Sequence, residues 1–97
     1  MQKELEIKAK AFDRLISHLD KRKDVQNIDL MILANFCRNC LSNWMSDAAN
    51  ELGVDLNKDN ARKYVYKMPY SEWKDKYQTE VSDEKLSQFK KSKTLST

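Results

Sequence analysis

The sequence predicts an all-α protein, a compact bundle of four or five helices around a long central helix, and three observations predict it. The chain of 97 residues holds one glycine and one proline, whereas strand-rich small proteins need many tight turns and recruit those residues to make them. Apolar residues recur at steps of three and four, the spacing that lines one face of a helix. Hydrophobic residues make up 40% of the chain and include two Trp, four Tyr and three Phe. That is enough for one core, and a thin one at this length, so a homodimer or larger oligomer is expected. A second core would leave too little chain for each, which gives one helical domain over residues 1–90 and a frayed basic tail, "KKSKTLST", whose last seven residues are 91–97.

The first helix is expected over residues 3–22, where Leu5, Ala9, Phe12, Leu15, Ile16 and Leu19 share a face and Lys and Glu fill the other. "KRKD" (21–24) interrupts the pattern, and Asp24 or Asn27 can cap the next helix by accepting its free N–H groups. The central helix is expected from about 28 to 52, with a seam of Leu30, Ala34, Cys37, Leu41, Trp44 and Ala48 spaced 4-3-4-3-4. Its "LMILA" turn is apolar all round and so predicted to be enclosed by protein. Gly53 ends it, since glycine enters the left-handed terminating conformation freely. Asn57 is the expected cap of a third helix over 58–67, facing inward through Ala61, Tyr64, Val65 and Met68. Pro69 ends that helix and starts a fourth, "PYSEWKDKYQ". Ser82, ahead of Asp83 and Glu84, opens a short fifth helix carrying Leu86 and Phe89.

The net charge of +3 is unevenly spread. Residues 1–23 carry +3, residues 24–56 carry −4, and residues 57–80 and 81–97 carry +2 each. An acidic middle between basic flanks suits complementary packing or head-to-tail association, and equally a solvated surface. The charged, periodic N-terminus lacks the apolar core of a signal peptide, and no stretch approaches the roughly 20 apolar residues of a membrane span. A cytoplasmic protein away from the membrane is therefore expected, with cysteines kept reduced unless they serve redox or metal chemistry.

"NFCRNCLSNW" (35–44) contains the only two cysteines, Cys37 and Cys40. Three apart on a helix, they share a face with Cβ atoms roughly 5–6 Å apart. Both thiolates can then reach one zinc or iron ion, as half of a four-ligand site. The other half would come from His18, the only histidine, with a carboxylate or water, or from a second subunit's cysteines. Redox chemistry favours a thiol at a helix N-terminus. Ten residues inside a helix the dipole gives little help and an intrahelical disulfide is strained. Arg38, roughly 100° away around the helix, can still steady a thiolate. Free cysteine is also among the most buried residue types, so packing in the core ranks first for the pair, metal binding second and thiol chemistry third.

"YVYKMPYSEWKDKYQ" (64–78) places Tyr70, Trp73 and Tyr77 on one helix face near Lys67, Lys74 and Lys76. Aromatic side chains among lysines can stack bases and hold phosphates. The same period serves a buried face, and Glu72, Asp75 and Glu80 oppose a phosphate-facing surface, so a core or subunit interface is expected ahead of nucleic acid. No Gly-rich phosphate loop, His-Glu-x-x-His, Ser-centred elbow or His-x-Glu partner for the cysteines is present, which disfavours the common hydrolase, kinase and deaminase sites.

In "DVQNIDLM" (24–31), "FCRNCL" (36–41) and "MPYSEWKDKYQTE" (68–80) the chain resembles a family of short bacterial proteins designated domain of unknown function 1244, over roughly Phe12 to Phe89. The resemblance implies a small all-helical bacterial protein and supplies no activity. In the family pattern a glycine often precedes Met-Pro, where this chain has Lys67, so a special backbone angle there would make this helix junction differ. A non-enzymatic binding module is expected, with a transition metal on Cys37 and Cys40 the sharpest form. The alternative is a helical adaptor holding a protein or RNA partner through Tyr70, Trp73, Tyr77 and Arg38, and the third is a thiol-dependent redox or catalytic protein.

Overall fold

The structure, a computed structural model, describes residues 2–93 and is all-helical: α1 (Gln2–Lys21), α2 (Asn27–Ala34), α3 (Arg38–Glu51), α4 (Lys58–Tyr66), α5 (Tyr70–Tyr77) and α6 (Asp83–Lys93). The core gathers Ile16 and Leu19 of α1, Leu30 of α2, Cys37 and Leu41 around the start of α3, and Val65 of α4. Phe12, Val25, Met31, Phe36, Cys40 and Met45 pack against it. Helix α3 lies mainly against α4, and α6 against α2.

The expected central helix is two helices, which brings the total to six. Asn35 enters the left-handed region at φ 59° and sends its N–H back to the Met31 carbonyl at 3.0 Å, closing α2. Asparagine is one of the few residues other than glycine to visit that conformation routinely. Cys37 then runs extended at φ −144°, ψ −175° and becomes the residue that caps α3. The break shifts the helical phase of α3. Leu41, Ser42 and Ala49 face inward, with Met45 half-buried, while Trp44 and Ala48 of the expected seam are exposed. The "LMILA" turn is not enclosed either, since Leu33 is 83% exposed.

Other boundaries obey local chemistry. Gln26, instead of Asp24 or Asn27, precedes α2, and its N–H donates to the Asp29 carboxylate at 2.9 Å. The reciprocal placement of the two residues is that of a capping box. After α3, Gly53 takes φ 72°, its N–H reaches the Asn50 carbonyl at 3.2 Å, and the Val54 N–H reaches Ala49 at 2.8 Å. This is the paired closure of a Schellman motif. The Asn57 side chain accepts from the Asn60 N–H at 2.8 Å and starts α4 as expected. Inside α4 the buried residues are Ala61, Val65 and Tyr66, with Tyr64 turned out. Lys67 ends the helix at φ 61°, the left-handed angle that a glycine would take without strain. Ser82 accepts from the Lys85 N–H at 3.2 Å at the head of α6. That helix continues through 91–93, where fraying was expected, and residues 94–97 of the expected tail lie outside the described residues.

Candidate functional site

The break between α2 and α3 moves the cysteine pair from mid-helix to a helix start. Cys37 occupies the N-cap of α3 and Cys40 the third position of its first turn. There the N–H groups of the first turn have no partner within the helix and the helix dipole is positive, and the Arg38 N–H donates to Asn27 Oδ1 at 3.4 Å. Cys37 is buried and Cys40 half-buried, both as free cysteines. Burial is the largest influence on Cys37 and pushes its thiol above the ordinary value. The N–H groups of Cys40 and Asn39 work in the opposite direction, and the adjacent Cys40 thiol adds to the rise.

The two residues between the cysteines hold this turn in place. Arg38 is 2% exposed, and its guanidinium reaches back to the end of α1. One amino group donates to the Val25 carbonyl at 2.8 Å and to Asn27 Oδ1 at 3.2 Å. The other donates to the carbonyls of Leu19 at 3.2 Å and Arg22 at 2.9 Å. Its face rests on the Trp73 ring, 5.0 Å from the centroid. Burial lowers the Arg38 pKa from its ordinary value, partly offset by the influence of Tyr66 and Cys37. An arginine with five donors in a planar fork suits this cluster of carbonyls, which a lysine could not span. Asn39 accepts a 2.8 Å hydrogen bond from the Tyr66 hydroxyl, which accepts one at 3.0 Å from the Asn27 side-chain amide. Tyr66 is buried, and burial is the main reason its hydroxyl stays protonated far above the ordinary range.

Beside the pair opens a cleft of about 420 Å³. Ile28 and Met31 of α2 form one side, Tyr70 and the turn of Cys37, Asn39 and Cys40 another, and the segment from Gln78 through Val81 to Leu86 and Phe89 closes the third. That segment is tied down at two places. The Gln26 side chain donates to the Tyr77 carbonyl at 2.8 Å and accepts from the Thr79 N–H at 3.0 Å. Lys85 of α6 pairs with Asp29 of α2 at 2.8 Å, and this pairing is the largest of the influences that lower the Asp29 pKa.

The other expected site residues fall elsewhere. His18 is exposed on α1, and among the described residues no group of three or more His, Cys, Asp or Glu is placed to hold a metal ion. The structure thus does not bring His18 together with Cys37 and Cys40 as such a group. Trp73 is 1% exposed, which together with the burial of Arg38 removes both from any outer partner surface. The aromatic residues form a packed row instead: Tyr66 lies 5.0 Å from Tyr70 and 4.9 Å from Trp73, and Trp73 lies 5.8 Å from Tyr77. Only Tyr70 and Tyr77, both half-buried, offer edges to solvent. Asn39 and Tyr66 were not singled out from the sequence, and Asn27 only as a candidate helix cap. Their role depends on the break at Asn35, and that asparagine beside "FC" was the one available sign of it.

The family model described as "Protein of unknown function (DUF1244)" matches residues 25–91. The chain belongs to this family. The matched span begins at Val25, just before the Gln26 clasp, and ends in α6, so in this family member it takes in the whole cleft. No curated protein matches the chain. No helix among the described residues is long and apolar enough to cross a membrane.

Proposed function

We propose that the chain is a small dithiol protein whose Cys37–Cys40 pair exchanges with a disulfide presented in the adjoining cleft. The observation that carries this reading is the placement of the pair at the N-cap and third position of α3, beside an open and largely apolar cleft. A mid-helix position counts against thiol chemistry in the sequence, and that objection does not apply at a helix start.

The roles divide by access. The half-buried Cys40 thiolate attacks one sulfur of the partner disulfide, forming a mixed disulfide and releasing the other sulfur as a thiolate. The buried Cys37 thiol gives its proton to that leaving thiolate and attacks Cys40 Sγ. The second partner sulfur leaves, and a Cys37–Cys40 disulfide remains. The pair is oxidised by two electrons and the partner disulfide is reduced to two thiols. Holding Cys37 protonated until the mixed disulfide forms reserves it for this second step.

Thiol trapping followed by mass spectrometry tests the proposal. In the folded, reduced protein Cys40 is expected to alkylate first, and glutathione disulfide to convert the pair to an intramolecular disulfide. Cys37→Ser should trap a mixed disulfide on Cys40, and Cys40→Ser should form none. Two thiols that react only after unfolding would overturn the proposal in favour of core packing. Stoichiometric zinc or iron that protects both thiols would overturn it in favour of a metal site completed by a second subunit.

A further inference from the structure

We infer that the first half of α1 is an arm that docks on α3 of a second copy of this chain, each copy giving an arm and receiving one. The apolar seam that buries Ile16 and Leu19 continues toward the N-terminus through Ala9 and Leu5, beyond the end of the core. Every residue from 3 to 11 is exposed, with Leu5 at 63% and Ile7 at 68%. This segment is the outer half of one continuous 20-residue helix, and an apolar face gains its stability from packing against a partner. The fold is accordingly drawn out, 46 Å along its longest axis with a radius of gyration of 14.8 Å, against about 12.5 Å for a compact chain of this length.

The surface that fits the arm lies along α3. Trp44 is 54% exposed, Leu52 79%, and the exposed Ala48 sits between them on the same face at steps of four. Asp47 and Glu51 flank this stripe. From residue 39 to 57 the chain carries three acidic side chains and no basic one, whereas Lys3, Lys8 and Lys10 of the arm outnumber Glu4 and Glu6, with Lys8 lying 3.7 Å from Glu4 in an exposed pair along the helix. Apolar stripe meets apolar seam and acid meets base, and two arms laid against each other would lack that charge match. The chain exposes 7437 Å², against about 5,800 Å² for a compact monomer of 11.5 kDa, and the exposed arm and α3 stripe contribute to that excess together with α6. A reciprocal exchange closes on itself as a two-fold dimer.

Sedimentation equilibrium over a range of concentrations tests the docking, with circular dichroism confirming that each variant is folded. Wild type is expected to reach twice the chain mass, and Leu5→Lys to remain at the single-chain mass. Asp47→Lys with Glu51→Lys should weaken association several-fold, and adding Lys3→Glu, Lys8→Glu and Lys10→Glu to that chain should restore it. A wild-type protein at single-chain mass throughout would overturn the inference. So would an association that ignores the α3 reversals, because the arm would then have another seat. The arm and its seat lie outside the cysteine cleft, so neither result depends on the thiol chemistry.

Discussion

The two sides of the cysteine cleft are built in opposite ways. On the α3–α5 side, Arg38, Tyr66 and Trp73 are almost wholly buried, and each is engaged by rings, carbonyls or amides of other helices. On the α6 side nearly every described residue is exposed, and an ion pair at Lys85 and the Gln26 clasp on the preceding segment tie it to α2. The first arrangement fixes the geometry of the thiols. The second permits local opening at little cost, because segments with few buried apolar contacts detach without global unfolding. A site that must admit a partner sulfur beside a rigid pair of thiols needs both properties.

The sharpest test of this contrast is Trp73→Ala. Removing a buried tryptophan costs about 3–5 kcal/mol, which in a domain of this size lowers Tm by more than about 12 °C. A thermal melt within a few degrees of wild type would show that the rigid side is not held by the aromatic row. Arg38→Lys keeps the charge and loses the fork. The Leu19 and Arg22 carbonyls keep the bonds they accept from the Arg22 and Val25 N–H groups, so the cost is that of the lost charge-assisted hydrogen bonds, roughly 1.5–3 kcal/mol each. Urea unfolding should record that loss, and an unchanged midpoint would move the anchor of the cysteine turn elsewhere.

Acid and alkali should separate the two sides. Cys37 and Tyr66 have raised pKa values in the fold, so their contribution is complete below the unfolded values near 8.5 and 10 and is lost as pH rises toward the folded ones. Asp29 has a lowered value, so its contribution is complete above about pH 3.9 and is lost as pH falls through the folded one. Hydrogen exchange should therefore show alkali loosening the start of α3 and acid loosening α6 first. The reverse order would break the comparison. The smallest effect on stability belongs to Lys85→Ala, below about 1 kcal/mol for a half-exposed pair. Even so, Cys40 should alkylate faster in that variant. Added salt should speed wild type toward the variant's rate and leave the variant unchanged, and equal rates throughout would show that the ion pair does not govern access.

How much of this was legible in the sequence depended on how local its cause was. The caps at Asn57, Ser82 and Gly53 and the helices they bound were readable because the relevant interactions span only a few residues. The break at Asn35 was not, since "LMILANFCRNCL" carries neither Gly nor Pro and keeps a nearly unbroken 4-3 spacing. What accompanies the break is distant: with α3 starting at residue 38, Arg38 reaches the carbonyls of Leu19 and Arg22. That single error carried over to Trp44, Ala48 and the reading of the cysteines. Burial of Arg38 and Trp73 was hidden for a related reason, because a charged residue between two cysteines and an aromatic among lysines both look like surface until their partners are known.

The Gln26 clasp also says something about the order in which the protein is assembled. It joins positions 51 and 53 residues apart, whereas the contacts of Arg38 with Leu19, Arg22 and Val25 span only 13 to 19. Closing the longer loop carries the greater entropic penalty and rewards the chain later. On a chain emerging from the ribosome, the cysteine turn can settle against α1 well before Thr79 has been made. The cleft then acquires its third side only once the segment from Gln78 to Phe89 has followed, and until that moment the side of the thiol pair facing the cleft stands uncovered.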